Sequence, residues 1–311
     1  MLGKRTIRAP STDILRGMAR PRLRRRDRQA DPTGSAARST PEGGAEDARD
    51  ADTPPGTTLT EVADDVPPPP PAVPRRRVLD ATPLLLLRAA HPRQAVATAV
   101  LMAVAAALAD RPTRDLGLVL GTVLVGQALL GWHNDLVDRR RDARHGRTDK
   151  PVADGRLDPS TAWFALSCAV LLVIPLALSN GITAGLLYLV SLAIGVLGNY
   201  TLRTGFLSWV PWAAAFALYP AFLSFGGWGN HDGGAAPQPA MTVLAALLGI
   251  GVHLLTSLWG LVADHEDGWT YLPLRLGMKV GAARLLALTA TYLALVTAGM
   301  IITGTLVGLH A

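Results

Sequence analysis

From about residue 94 to residue 307 the chain is a succession of apolar runs long enough to cross a bilayer, separated by short polar links. No other feature restricts the possible folds so strongly. A bilayer span takes about 20 apolar residues. Lipid offers no partner to a free backbone N–H or C=O, so each run must satisfy its own backbone as a helix. Seven runs qualify, at roughly 93–109, 116–132, 161–178, 182–197, 206–225, 241–262 and 282–306, the first short and rich in Ala. The odd number and the unbroken, non-alternating hydrophobicity exclude an even-stranded barrel. The expected fold is therefore all-α, a polytopic transmembrane helix bundle. Pro175, Pro211 and Pro220 are expected to kink their helices and not to end them.

The residues before the spans have the opposite character. Residues 1–83 are expected to form a disordered, charged, Pro-rich tail, with 84–311 as the membrane domain. A basic block (Arg20, Arg22, Arg24, Arg25, Arg26, Arg28) precedes a mostly acidic stretch over 42–65, then Pro67 to Pro71 and a second basic cluster, Arg75 to Arg77. Such a segment buries too little apolar surface to offset the entropy of ordering it. Its basic blocks suit anionic lipid headgroups. The net charge of +6 is not a nucleic-acid signal, because no recognition module accompanies it. The polar N-terminus has no signal-peptide core. Cys168 is the only cysteine, which excludes an intrachain disulfide.

Loop charge sets the expected orientation. The link after the second span carries Arg139, Arg140, Arg141, Arg144, Arg147, Lys150 and Arg156; Arg203 follows the fourth span, and Arg275 and Lys279 the sixth. The 226–240 link has neither Lys nor Arg, and only Arg111 and Arg114 run against the pattern. The positive-inside rule puts the tail and the three basic links in the cytoplasm and the C-terminus outside. The scarcity of Lys beside Arg is that of a GC-rich bacterial genome, so a multi-pass protein of a bacterial plasma membrane is expected.

The cytoplasmic end of the second span is HNDLVDRRRDARHGRTDKP, residues 133–151. If the helix continues past Trp132, Gln127, Gly131, Asn134, Asp138 and Asp142 share one face, with Asp135 at its flank. Carboxylates gathered in this way repel one another unless a cation neutralises them. Hard oxygen donors suit Mg²⁺, which takes one or two carboxylates and completes its shell with water and phosphate. A second acidic cluster, ADHEDG at 263–268, ends the sixth span on the same side, with Asp264 and Asp267 one turn apart and Gly260, Ser257 and His253 behind them on one face. Arg139, Arg140 and Arg141 follow the first acids, Arg147, Lys150 and Arg203 also lie between the clusters in sequence, and Arg is well suited to bidentate phosphate contacts. Mg²⁺ and Arg together stabilise charge on a departing pyrophosphate. Arg139, Arg140 and Arg144 read as topology signals, His253 as a packing residue, and His145 and His265 as loop residues.

With these residues in place the chain resembles the UbiA superfamily of intramembrane prenyltransferases. The family pattern N-D-x-x-D-x-x-x-D is met by NDLVDRRRD (Asn134 to Asp142), its R-x-x-K/R-P-x-x-x-G by RTDKPVADG (Arg147 to Gly155), and its Tyr-plus-basic pair by Tyr200 and Arg203. Its second Asp motif with a following LPxRLG is met by DHEDGWTYLPLRLG (Asp264 to Gly277), and LLRAAHPR resembles its lead-in to the first span. The resemblance implies a helical membrane enzyme that moves an isoprenyl group from an isoprenyl diphosphate to a lipophilic acceptor. Asn134, Asp135, Asp138 and Asp142 would hold one Mg²⁺, and Asp264 and Asp267 another. Arg147, Lys150, Tyr200 and Arg203 would contact diphosphate, and Asp135, Asp138 and Asp264 are the expected catalytic acids. The second motif is short of the family's three spaced acids, Glu266 pointing elsewhere on a regular helix. Two of the family's usual nine spans have no counterpart after Gly277. A terpene cyclase of the same fold, or a cation transporter using membrane-edge acids, are the alternative readings.

Overall fold

The computed structural model describes residues 80–227 and 234–308. The tail up to residue 79, with its basic blocks and Pro run, lies outside the described residues. The helices are α1 (Thr82–Ala89), α2 (Pro92–Leu108), α3 (Thr113–Arg144), α4 (Pro159–Ser179), α5 (Ile182–Thr201), α6 (Trp209–Ala217), α7 (Tyr219–Ser224), α8 (Pro239–Ser257), α9 (Leu261–Glu266), α10 (Leu272–Val280) and α11 (Ala282–Leu306). Thr82 already lies in α1, so helix begins just ahead of the expected domain boundary at 84. Among the described residues six helical segments are long and apolar enough to cross a membrane, and α2 is a shorter apolar helix of 17 residues. The chain is an all-helical, polytopic membrane protein.

The seven expected spans all have helical counterparts, but two are not single rods. The fifth is a 3₁₀ turn (Phe206–Ser208) followed by α6 and α7, interrupted at Leu218. Pro220 supplies no N–H to the ladder there, so it marks a break where only a kink was expected. The sixth ends at Ser257, and residues 258–260 turn before α9 begins. α3 does the reverse: it runs 32 residues, well past Trp132, and carries the whole first acidic motif in one helix.

Sequence neighbours pack as spatial neighbours: α2 on α3, α3 on α4, α4 on α5, α5 on α6 and α7, then α6 on α8 and α8 on α11. The seams use small residues, as lipid-embedded interfaces do. Ala99, Ala106, Ala169, Ala177 and Ala184 are buried among Val119, Val123, Val173 and Tyr188. Gly249 lets α8 lie against the backbone of α6, where a Cβ would overlap the Trp212 carbonyl. Cys168 is exposed on α4. Arg111, which contradicts the charge rule, is a structural side chain: it donates to the Leu223 carbonyl and pairs with Asp115 at 3.9 Å.

Candidate active site

The site lies where the far end of α3 meets three links. α3 stops at Arg144, and Gly146 (φ 62°) takes the left-handed conformation that turns the chain. The following link is anchored from below: Val152 and Leu157 are buried with Leu85 and Ala89 of α1 and Ala162 of α4. Asp158 caps α4 by accepting from the Ser160 N–H at 2.6 Å. Anchored at both ends, the link brings Lys150 back over α3, where its ammonium donates to Asp135 Oδ1. α1 is fastened to the same stretch of α3, because Trp132 Nε1 donates to the Leu86 carbonyl at 2.8 Å.

That fastening places His91. It sits in the two-residue joint between α1 and α2 with φ 52° and ψ 58°, a left-handed conformation that costs a non-glycine residue free energy. Its Nε2 is 2.8 Å from Asp135 Oδ1 and 2.9 Å from Lys150 Nζ, so it either donates to the acid or accepts from the lysine. Asp135 is 1% exposed, and its other oxygen, Oδ2, is buried without a hydrogen-bond partner among the described residues. Asp138 receives Arg203 Nη1 from the link after α5. Asp142 is buried one turn further on.

The second acidic motif comes to the same place. Arg141 of α3 extends its guanidinium between the two acids of α9 and its following turn: Nη2 donates to Asp264 Oδ1 and Nε to Asp267 Oδ2 at 2.5 Å. Trp269 lies beneath, its ring centre 4.3 Å from the Arg141 guanidinium carbon and 5.3 Å from that of Arg203. The Thr270 N–H donates to the Thr204 carbonyl at 2.9 Å, tying this loop to the Arg203 link. Tyr271 OH donates to Asp264 Oδ2, and His145 Nε2 is 3.1 Å from Asp267 Oδ2. Burial pushes the Asp264 carboxyl above the usual range, with Tyr271 and Arg141 holding it back. Burial also pushes Asp267 upward, but Arg141 and His145 outweigh it and bring that carboxyl below its ordinary value. Burial and the Asp264 charge push the Tyr271 phenol up.

The expected residues therefore divide. Asp135, Asp138, Asp142, Asp264, Asp267, Lys150 and Arg203 come together, and Asn134 lies among them on α3. Arg147 spends its fork on Asp149, at 2.9 Å through both Nε and Nη2, and reaches Asp142 and Asp135 only through space. Tyr200 is 59% exposed and stands edge-on to His133 at 5.1 Å. Glu266 points outward, as expected, toward His145 Nδ1 at 3.6 Å. His253 packs on Trp212 and shares a 2.9 Å contact with Ser208, as its reading as a packing residue requires. His145 departs from its reading as a mere loop residue. The sequence reading missed His91, Trp269 and Tyr271, and it set Arg141 toward phosphate and not toward Asp264 and Asp267. A His before Pro between two helices, and an Arg three residues after Asp138 on the acid-bearing side, were the available signals.

The geometry agrees with the comparisons. A sequence model described as the UbiA prenyltransferase family matches residues 95–311. Two solved structures share the fold, both of a UbiA homolog from Archaeoglobus fulgidus. The one bound to GPP and Mg²⁺ is 19% identical over 72% of this chain and 83% of its own, with a TM-score of 0.54. The one bound to Cd²⁺ is 16% identical over 72% of this chain and 90% of its own, with a TM-score of 0.51. No curated protein matches. With the family's motifs assembled at one end of a helical bundle and its sequence model matched over the membrane domain, the chain belongs to the UbiA prenyltransferase family.

Proposed function

We propose that this protein is a membrane-embedded, Mg²⁺-dependent prenyltransferase that moves an isoprenyl group from an isoprenyl diphosphate to a lipophilic, often aromatic, acceptor. One observation carries the reading: the two acidic motifs, more than a hundred residues apart, are brought together with Lys150, Arg203 and Arg141 in contact with their carboxylates. Buried charges are tolerated only when paired, and a chain would not assemble so many for packing alone. The basic links support a cytoplasmic position for this end, in a plasma membrane.

The first motif fits Mg²⁺. Among the described residues no three His, Cys, Asp or Glu side chains form a closed cage. Mg²⁺ needs none, since it usually takes one or two carboxylates and leaves the rest of its shell to water and substrate phosphate. Asp135 has a buried oxygen with no partner among the described residues, and Asp138, Asp142 and Asn134 add hard oxygens on the same helix. These four residues would hold the ion, which would neutralise charge on the departing diphosphate. Lys150 and Arg203 keep positive charge beside the ligands and suit phosphate oxygens. The second motif does not fit, because Arg141 already lies between its carboxylates. The apolar helices shelter the prenyl chain and keep water from the allylic centre once the C–O bond breaks.

The test is purified full-length protein in detergent with geranyl diphosphate, Mg²⁺ and a panel of aromatic acceptors. Diphosphate release with a prenylated product is expected, and Asp135→Asn and Asp138→Asn should each lower it by at least about 100-fold. Full activity in both variants would end the proposal. A cyclic hydrocarbon formed without acceptor would replace transfer with cyclisation.

A further inference from the structure

We infer that Arg141 takes the place of a second metal ion, so that the site works with one Mg²⁺ at the first motif and a built-in guanidinium at the second. The inference rests on the proposed diphosphate chemistry and refines its cofactor.

The two motifs differ in what their carboxylates have left to offer. Both oxygens of Asp264 are engaged, Oδ1 by Arg141 Nη2 and Oδ2 by the Tyr271 hydroxyl. Asp267 Oδ2 receives Arg141 Nε at 2.5 Å and faces His145 Nε2 at 3.1 Å, while Oδ1 has Arg144 Nη2 at 3.8 Å. Three of the four oxygens are thus engaged, and the fourth, Asp267 Oδ1, faces the exposed Arg144 without a hydrogen bond. Asp135, in contrast, keeps a buried oxygen with no partner among the described residues.

Charge gives the same contrast. Arg141, with the more distant Arg144, offsets the charge of Asp264 and Asp267 before any ion is considered. The three acids of the first motif meet two close cations, Lys150 and Arg203, and retain an excess of negative charge.

Arg141 is also held from a second direction. Its guanidinium lies over Trp269 at 4.3 Å and its side chain is 15% exposed. An ion entering between Asp264 and Asp267 would have to displace the fork and leave that guanidinium largely buried without its counter-charges, an unfavourable exchange. A planar cation with donors along two edges already bridges two carboxylates and keeps its remaining N–H groups available to a phosphate. The shortness of the second motif has its explanation here: with a guanidinium as the cation, two acids suffice.

Mn²⁺ is the probe, titrated into the full chain with inorganic pyrophosphate and followed by electron paramagnetic resonance of free and bound ion. One Mn²⁺ per wild-type chain, with no exchange coupling to a neighbour, is expected. Arg141→Met, which removes the charge and keeps much of the volume, is expected to bind a second, weaker ion. Two ions per wild-type chain would overturn the inference and leave the prenyltransferase reading intact. A single ion in Arg141→Met would overturn Arg141 as the occupant of the second position. Failure of wild-type protein to bind either Mn²⁺ or pyrophosphate would instead overturn the functional reading beneath it.

Discussion

Gly131→Ala tests the seam that delivers His91 and the Lys150 link to Asp135. A Cβ at residue 131 would lie 2.7 Å from the carbonyl carbon and oxygen of Ala90 and 3.1 Å from its Cα. Ordinary contact begins near 3.4 Å, so the α1–α2 joint must retreat by about 0.7 Å. The obstacle is backbone, fastened on one side by the Trp132–Leu86 hydrogen bond, and cannot swing aside as a side chain would. Overpacking of this kind costs about 1–3 kcal/mol, and the better helix propensity of Ala returns about 1 kcal/mol. The net is a loss of up to about 2 kcal/mol, or up to several degrees in unfolding temperature at about 2–4 °C per kcal/mol. Activity should suffer more, because the joint carries His91 against Asp135, the acid proposed to hold Mg²⁺, and misplacement of about 1 Å is worth about 100-fold. The control is Gly121→Ala on the same helix, where an added Cβ meets nothing within 4 Å. It should be neutral or slightly stabilising, with unchanged activity. Thermal unfolding in detergent and diphosphate release, measured side by side, decide the matter. A Gly131→Ala protein as stable and as active as Gly121→Ala would refute the close approach.

Lys150→Met leaves a 1%-exposed Asp135 with His91 alone at 2.8 Å, and breaking a buried pair costs up to about 3–5 kcal/mol; Arg203→Met should cost less, because Arg203 is the more exposed cation at 28% against 13%. The reverse order of unfolding temperatures would contradict the assigned partners. Tyr271→Phe removes the donor to Asp264 Oδ2, which for a hydrogen bond to a charged group is worth about 1.5–3 kcal/mol; unchanged thermal stability would show that this hydroxyl is not engaged. Asp149 has its carboxyl brought down to about 2 by the Arg147 hydrogen bond, below its unfolded value of 3.8. Its stabilisation is therefore complete above that unfolded value and is lost as pH falls toward 2. The pair is solvent-exposed, so Asp149→Asn should cost less than about 1 kcal/mol at pH 7. The gap between variant and wild-type unfolding temperatures should close at the acid end; a gap that widens there would be inconsistent with the pairing.

What the sequence revealed and what it hid follow from how local each signal is. Hydrophobic runs and acids at helical spacing are properties of neighbouring residues, so the helices and the acid face of α3 were legible. The break at 258–260 was not, because Leu258, Trp259 and Leu261 continue the apolar run, and Gly260 alone does not mark the turn. The counter-ions were harder still: His91 reaches Asp135 across 44 residues, and Arg141 reaches Asp267 across 126. No periodicity encodes such pairs. Yet the run Arg139–Arg140–Arg141 shows what geometry extracts from an apparently uniform charge cluster. Successive helical residues are turned by about 100° from one another, so three consecutive arginines cannot serve one purpose. Arg140 is exposed on the outer surface, as a topology signal should be, whereas Arg141, a turn beyond Asp138, points inward to the acids of α9. The rule that charges flanking a span set its orientation therefore describes part of the cluster and conceals the rest. A residue's angular position relative to the nearest functional side chain separates the two, and that angle is readable from sequence once the helix is known to continue.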